Sequence, residues 1–199
     1  MQPDAKANPE YLRAFIEIAK RIARSLEQVP ARARPVRMFV AGGAALHLYT
    51  GTRVSKDIDA VFSRRVALPE DLEVSYRDID GAARLLYFDR QYNDTLGLMH
   101  EDAHADSLAV SLPGLDPSVL EVRLLAPVDL AVSKLGRFAA QDREDIATLA
   151  RCERIDARRL RERAEQALAG YVGDLGRIRG SIDIACAVVD DARRRVRAR

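Results

Sequence analysis

Residues Val36 to Phe62, V-R-M-F-V-A-G-G-A-A-L-H-L-Y-T-G-T-R-V-S-K-D-I-D-A-V-F, constrain this chain more than any other stretch. Val36, Met38, Phe39 and Val40 have the composition of a buried strand. The strand runs into Gly42-Gly43, where the absence of Cβ atoms permits a tight turn and a close approach by a ligand. Ala44 to Tyr49 then reads as a short helix stopped by Gly51, and the chain returns as a second strand from Ser55 to Phe62. A helix that begins just after a glycine pair directs free N–H groups at whatever lies above the glycines, an arrangement suited to an anion.

Side chains alternate across a strand, so Ile58, Ala60 and Phe62 share one face while Asp57 and Asp59 share the other. Two neighbouring carboxylates repel one another and resist burial, and a fold gains no stability from them. A divalent cation removes the repulsion, and Mg²⁺ is commonly held by one or two carboxylates together with substrate phosphate oxygens. An anion cradle followed by a two-carboxylate cation site is equipment for a nucleoside triphosphate and its metal. Taken separately, each half is also compatible with a plain turn and an exposed edge strand.

Gly42-Gly43, a short helix, then Ser55 two residues before Asp57-x-Asp59 resembles the polymerase-β-type nucleotidyltransferase superfamily. More narrowly, it resembles bacterial nucleotidyltransferase-like proteins of unknown substrate, relatives of the AbiE-type toxins. The resemblance implies Gly42, Gly43 and Ser55 on the triphosphate and Asp57 and Asp59 on metal, with Mg²⁺ or Mn²⁺ as cofactor and an NTP as substrate. It also implies a third carboxylate on a neighbouring strand, as two-metal phosphoryl transfer requires. Asp102 and Asp106 are the candidates; Asp106 is preferred because it opens the predicted strand Ser107 to Leu112. A second stretch, Asp129-Leu-Ala-Val-Ser-Lys-Leu followed by Asp142-Arg-Glu-Asp-Ile, is similar to the later motif of the AbiE-type toxins. That similarity implies Lys134 on phosphate and Asp145 near the attacking group, although Arg143-Glu144-Asp145 departs from the stricter spacing. The helices would otherwise be amphipathic, with an exposed Lys and a capped start.

His100-Glu101-Asp102-Ala103-His104 points elsewhere, because it matches the zinc-protease pattern H-E-x-x-H. That chemistry needs a helix to put both histidines on one face. Thr95 to Met99 reads instead as strand, so a zinc peptidase is the remote alternative and a catalytically degenerate nucleotide-binding module the nearer one.

Around this centre, Glu10 to Val29 carries an apolar stripe at helical spacing: Leu12, Phe15, Ile16, Ile18, Ala19, Ile22 and Leu26. Asp71 to Tyr76 is a predicted strand, Gly81 to Leu86 a predicted helix capped by Asp80, and Asp89 to Asp94 a polar turn. Thr95 to His100, Ser107 to Leu112 and Val119 to Leu125 are further predicted strands. Pro127 opens a helix as its first residue, a second begins near Asp142, and two more cover about 156–168 and 178–197. This order predicts an α+β fold, a nucleotidyltransferase-like mixed sheet flanked by helices, with the Asp57 and Asp59 strand central. Residues 1–127 would form the core with its N-terminal helix, and 128–199 a helical region packed on it.

The chain has 199 residues and a net charge of +2. Between Arg151 and Arg199, 13 Arg face 8 acidic residues for a net of +5, which leaves −3 elsewhere. The C-terminal quarter is therefore the expected contact for tRNA or another RNA, or else a solvated helix surface. An antitoxin protein is a further partner implied by the toxin resemblance. Cys152 and Cys186 are isolated, in keeping with reduced thiols. No signal peptide or apolar run of transmembrane length is visible, so a cytoplasmic protein is expected. The lack of Trp argues against a single-strand stacking platform.

Overall fold

The computed structural model describes residues 1–94 and 97–198. The chain forms two compact units, Met1–Tyr92 with Ser107–Leu124, and Asn93–Asp106 with Leu125–Arg199.

In the first unit, helix α1 spans Pro9–Ser25. Asn8 caps it, its side-chain oxygen accepting from the N–H groups of Glu10 and Tyr11 at 2.9 and 3.1 Å. Pro9 occupies the first helical position, where a missing N–H costs nothing. The helix ends four residues before the predicted Val29, and Leu26 continues its buried stripe as the C-cap. Strand β1 (Val36–Val40) enters the core and helix α2 (Gly42–Thr50) follows at once. The glycines expected to precede this helix form its first turn. Gly51, at φ 62°, is its left-handed C-cap.

The predicted strand Ser55 to Phe62 is split into β2 (Asp57–Ile58) and β3 (Ala60–Phe62). β3 pairs antiparallel with β1, whereas β2 pairs parallel with β5 (Ala83–Phe88). One four-stranded sheet runs β3-β1-β7-β6, with β6 at Leu108–Ala109 and β7 at Leu120–Leu124. A three-stranded sheet runs β2-β5-β4, with β4 at Glu73–Arg77. The aspartate segment is thus an edge of each ladder and the covalent joint between them, rather than the centre of a single sheet.

The helix expected over Gly81 to Leu86 is strand β5. Gly81 has φ 79°, and the Asp80 carboxylate accepts the Ala82 N–H at 2.9 Å. Asp80 therefore shapes the turn of a hairpin in place of capping a helix. Leu86 and Phe88 are buried, and α1 packs on the β4–β5 pair. The strand expected over Ser107 to Leu112 shrinks to Leu108–Ala109. Of the strand expected over Thr95 to His100, Thr95 and Leu96 lie outside the described residues and 97–100 have no strand pairing.

The second unit is helical, with α3 (Pro127–Ser133), α4 (Ala140–Arg151), α5 (Ala157–Ala167) and α6 (Leu175–Arg197). Pro127 opens α3 as expected. The longest helix, α6, buries Ile178, Ile182, Ala185 and Val189 against α4 and α5. Its spacing of three and four residues between apolar positions is what permits one continuous contact stripe. No described helix is long and apolar enough to cross a membrane.

Candidate functional site

The first turn of α2 is shaped by what lies against its two glycines. Gly42 has φ 58°, and a Cβ there would fall 1.8 Å from Asp59 Oδ2. A Cβ on Gly43 would fall 2.8 Å from Ser55 Cβ and 3.3 Å from an Arg53 guanidinium nitrogen. The glycines therefore admit the Asp59 carboxylate, the Ser55 hydroxymethyl and the Arg53 head to the helix start. The N-cap residue of α2, Ala41, has no side-chain acceptor to cap it. A helix start of this kind, with its dipole, favours a negatively charged group.

Ser55 is buried and donates through Oγ to Asp57 Oδ1. The backbone N–H of Ala41 donates to the Asp59 carbonyl at 2.8 Å, tying the aspartate segment to the end of β1. Gly42, Gly43, Ser55, Asp57 and Asp59 are thus brought together. Arg53, which the sequence reading passed over, joins them. Its signal was the alternation Arg53-x-Ser55-x-Asp57, which needs the glycine contact to acquire meaning.

His47 holds this corner from beneath. Its Nε2 accepts the Asn8 N–H at 2.9 Å and its Nδ1–H donates to the Thr52 carbonyl at 2.6 Å. The ring is therefore neutral with the proton on Nδ1, and burial holds its pKa below the ordinary value. Tyr11 packs edge-on against His47, ring centroids 4.8 Å apart. The Tyr11 hydroxyl is buried without a hydrogen-bond partner among the described residues. Burial, then Tyr76, then the charges of Asp57 and Asp59 push this phenol well above its usual range.

Register brings a further carboxylate into view. Asp57 is paired with Tyr87 and Ile58 with Phe88, and the Asp89 N–H donates to the Ile58 carbonyl at 3.1 Å. Asp59 and Asp89 are thus the residues that immediately follow the last rung, one on each strand. The Asp89 carboxylate accepts the Gln91 N–H at 2.8 Å. Asp89 opens the polar turn expected over Asp89 to Asp94, with Arg90 and Gln91 as turn residues. Among the described residues, no group of three or more His, Cys, Asp or Glu converges closely enough to hold a metal.

The other candidate residues belong to the second unit. Lys134 Nζ lies 2.6 Å from Asp145 Oδ2 and 4.0 Å from Asp142 Oδ1, with all three side chains buried. Gln141 donates to the second Asp145 oxygen at 2.9 Å. Burial opposes ionisation of Asp142, yet hydrogen bonds from Arg137 and the Ala139 N–H hold its carboxyl below the usual range. The predicted phosphate lysine and its aspartate thus neutralise each other across α3 and α4. Asp106 bonds Arg163 at 2.7 Å, and Arg163 forks onto fully buried Asp129 at 2.6 and 3.0 Å. This fork withdraws Arg163 from the basic surface expected of α5. Asp102 lies in a turn, 3.9 Å from His100.

Residues 101–106 are turns, so His100 and His104 lack the helix that a zinc peptidase requires. His104 instead meets Asp94 at 2.8 Å. A cavity of about 450 Å³ on α5 and α6 is lined by Arg158, Arg193, Arg194 and Arg197 together with Asp156 and Asp190. Other arginines of these helices are paired, Arg161 with Asp183 at 2.7 Å and Arg195 with Asp191 at 2.8 Å.

No curated protein and no solved structure matches the chain. A family model described as a nucleotidyltransferase of unknown function matches residues 17–175, from within α1 to the start of α6. That span contains the α2 glycines, both site aspartates and the Lys134 and Asp145 pair, and it covers well over half of the sequence. The chain belongs to this nucleotidyltransferase family of unknown function (DUF6036).

Proposed function

We propose that the protein is a Mg²⁺-dependent nucleotidyltransferase that moves a nucleoside monophosphate from an NTP to a hydroxyl of RNA, protein or a small molecule. The observation that carries this is the Asp59 carboxylate seated on Gly42 at the uncapped start of α2, with Ser55 and Asp57 beside it. A phosphate chain and a hard cation need these two environments side by side.

The donor set fits Mg²⁺ or Mn²⁺: Asp57 and Asp59 offer hard oxygens, and substrate phosphates supply the rest. Bound there, the cation would withdraw charge from the phosphates and make the attacking hydroxyl more acidic. The α2 N–H groups, Ser55 and Arg53 hold the triphosphate by charge-assisted hydrogen bonds. The acceptor oxygen forms a bond to the α-phosphorus as the bond to the bridging oxygen breaks, and pyrophosphate leaves. The hydroxyl proton passes to a carboxylate, for which Asp89 is proposed because it follows β5 as Asp59 follows β2; Asp102 and Asp106 are the candidates that the sequence offers for the same task. Lys134 and Asp145 are proposed as a helix-positioning ion pair of the C-terminal unit, and a phosphate contact by Lys134 would require the pair to open.

A catalytically degenerate nucleotide-binding module is the second reading, favoured by the lack of a converged three-carboxylate set among the described residues. A toxin role and an antitoxin partner rest on the sequence resemblance alone. Incubation with each labelled NTP, Mg²⁺ and total RNA or protein tests the first reading by label transfer. Nucleotide binding with no transfer to any acceptor class would favour the second.

A further inference from the structure

Beside Asp57 lies a cavity of about 360 Å³ whose walls include Arg53, Ser55, Lys56, Tyr76, Arg84 and Leu85. The space is of the size that small-molecule sites begin at. It touches the carboxylate site through Ser55 and Asp57, yet neither glycine of α2 nor Asp59 lines it. It adjoins the α2 start through Arg53 and Ser55 and extends away from it along β4 and β5, which supply Tyr76, Arg84 and Leu85. A nucleotidyltransferase has two substrates, and the nucleotide is accounted for by that helix start.

The lining is cationic. Arg53, Lys56 and Arg84 carry positive charge into the cavity, and Asp57 is the one acid among the lining residues. Lys56 is exposed and makes no ion pair among the described residues. Arg84 is held by Asp78 at 3.1 Å and Asp80 at 3.0 Å, which fixes the guanidinium at the rim. Those two acids lie outside the cavity wall. Leu85, 43% exposed, and Tyr76 supply an apolar flank. An arginine held by two carboxylates and an exposed lysine, with an apolar flank beside them, are a recognition set for a phosphate group carried on a small body.

We propose that this cavity is the acceptor subsite and that the acceptor carries a phosphate group, which Arg84 and Lys56 grip while its hydroxyl faces Asp57. The inference rests on the transferase reading and adds the acceptor's chemical class to it. Phosphate in this cavity has two possible sources, the acceptor or the terminal phosphates of the NTP, and one titration separates them.

The full-length protein is loaded with Mg²⁺ and the α,β-imido analogue of each NTP in turn, and glycerol 3-phosphate is added by calorimetry, with glycerol as control. Saturable binding of glycerol 3-phosphate, but not glycerol, to the nucleotide-loaded protein is expected. Lys56→Gln is expected to weaken that binding about tenfold or more, the worth of one charge-assisted contact. Leu85→Glu, on an exposed strand position, is expected to abolish it while analogue affinity and thermal unfolding stay at wild-type values. Displacement of the analogue by glycerol 3-phosphate would assign the cavity to the NTP's own phosphates and overturn the proposal. So would the absence of binding, or binding indifferent to both substitutions. Failure of every analogue to bind would instead remove the transferase reading, and the acceptor subsite with it.

Discussion

Gly42→Ala puts the most demanding geometric feature of the site to the test. The added Cβ would sit 1.8 Å from Asp59 Oδ2, whereas ordinary contact begins at 3.4 Å, so one partner must retreat by roughly 1.6 Å. Asp59 is the mobile partner, because Gly42 is locked between β1 and α2. The φ of 58° adds left-handed strain of about 1–2 kcal/mol for a residue with a Cβ. For a chain of 199 residues, each kcal/mol lowers the melting temperature by about 2–4 °C. A fall of several degrees is therefore expected. The functional loss should be larger, since a misplacement of about 1 Å in a catalytic constellation costs on the order of 100-fold. Thermal unfolding and calorimetry with Mg²⁺ and NTP measure the two effects on one preparation. Gly180→Ala is the control: Gly180 is an exposed position of α6 with nothing within 4 Å of a new Cβ. It should leave binding unchanged and raise stability by up to about 1 kcal/mol. Wild-type nucleotide affinity in Gly42→Ala would refute the carboxylate cradle.

Other expectations can be checked in parallel. Asp57→Asn with Asp59→Asn should eliminate Mg²⁺-dependent nucleotide binding while urea unfolding shifts by less than about 1 kcal/mol, as removal of a repulsive pair implies; an unfolded double variant would make the pair structural. His47 is held neutral by burial, with its folded pKa below the unfolded value of about 6.5. The unfolded state thus takes up the proton first as the pH drops, so His47's contribution is complete above that value and is lost as pH falls toward the folded pKa; equal stability slopes between pH 7 and 5 in wild type and His47→Gln would contradict this. Arg163→Met leaves Asp129 buried without its fork and should cost about 3–5 kcal/mol in urea unfolding, whereas exposed Arg158→Gln should cost little. If RNA is the acceptor, Arg158, Arg193 and Arg194 changed together to Gln should flatten the salt dependence of RNA binding in filter assays; an unchanged slope would move the contact elsewhere.

What the sequence determined by itself is the set of local structures whose causes lie within a few residues. The stripe of α1, the apolar run of β1, the α2 stop at Gly51 and the Pro127 helix start each follow from periodicity or from a backbone preference. The common face of Asp57 and Asp59 follows from strand parity. The helix expected over Gly81 to Leu86 gives way to β5 because Ala82-Ala-Arg-Leu-Leu-Tyr-Phe88 tolerates either conformation, and pairing with β4 and β2 decides between them. That pairing also relates Asp89 to Asp59, a relation between strands with no trace in linear spacing. Ion partners are equally non-local: Arg163 reaches Asp129 across 34 residues and Asp106 across 57, and Lys134 meets Asp145 across 11. Charge in a sequence says that a partner is needed, but burial and the approach of distant elements choose which carboxylate it is. The tertiary structure alone could therefore separate the arginines and lysines paired within the fold from those, such as Lys56, that make no ion pair among the described residues.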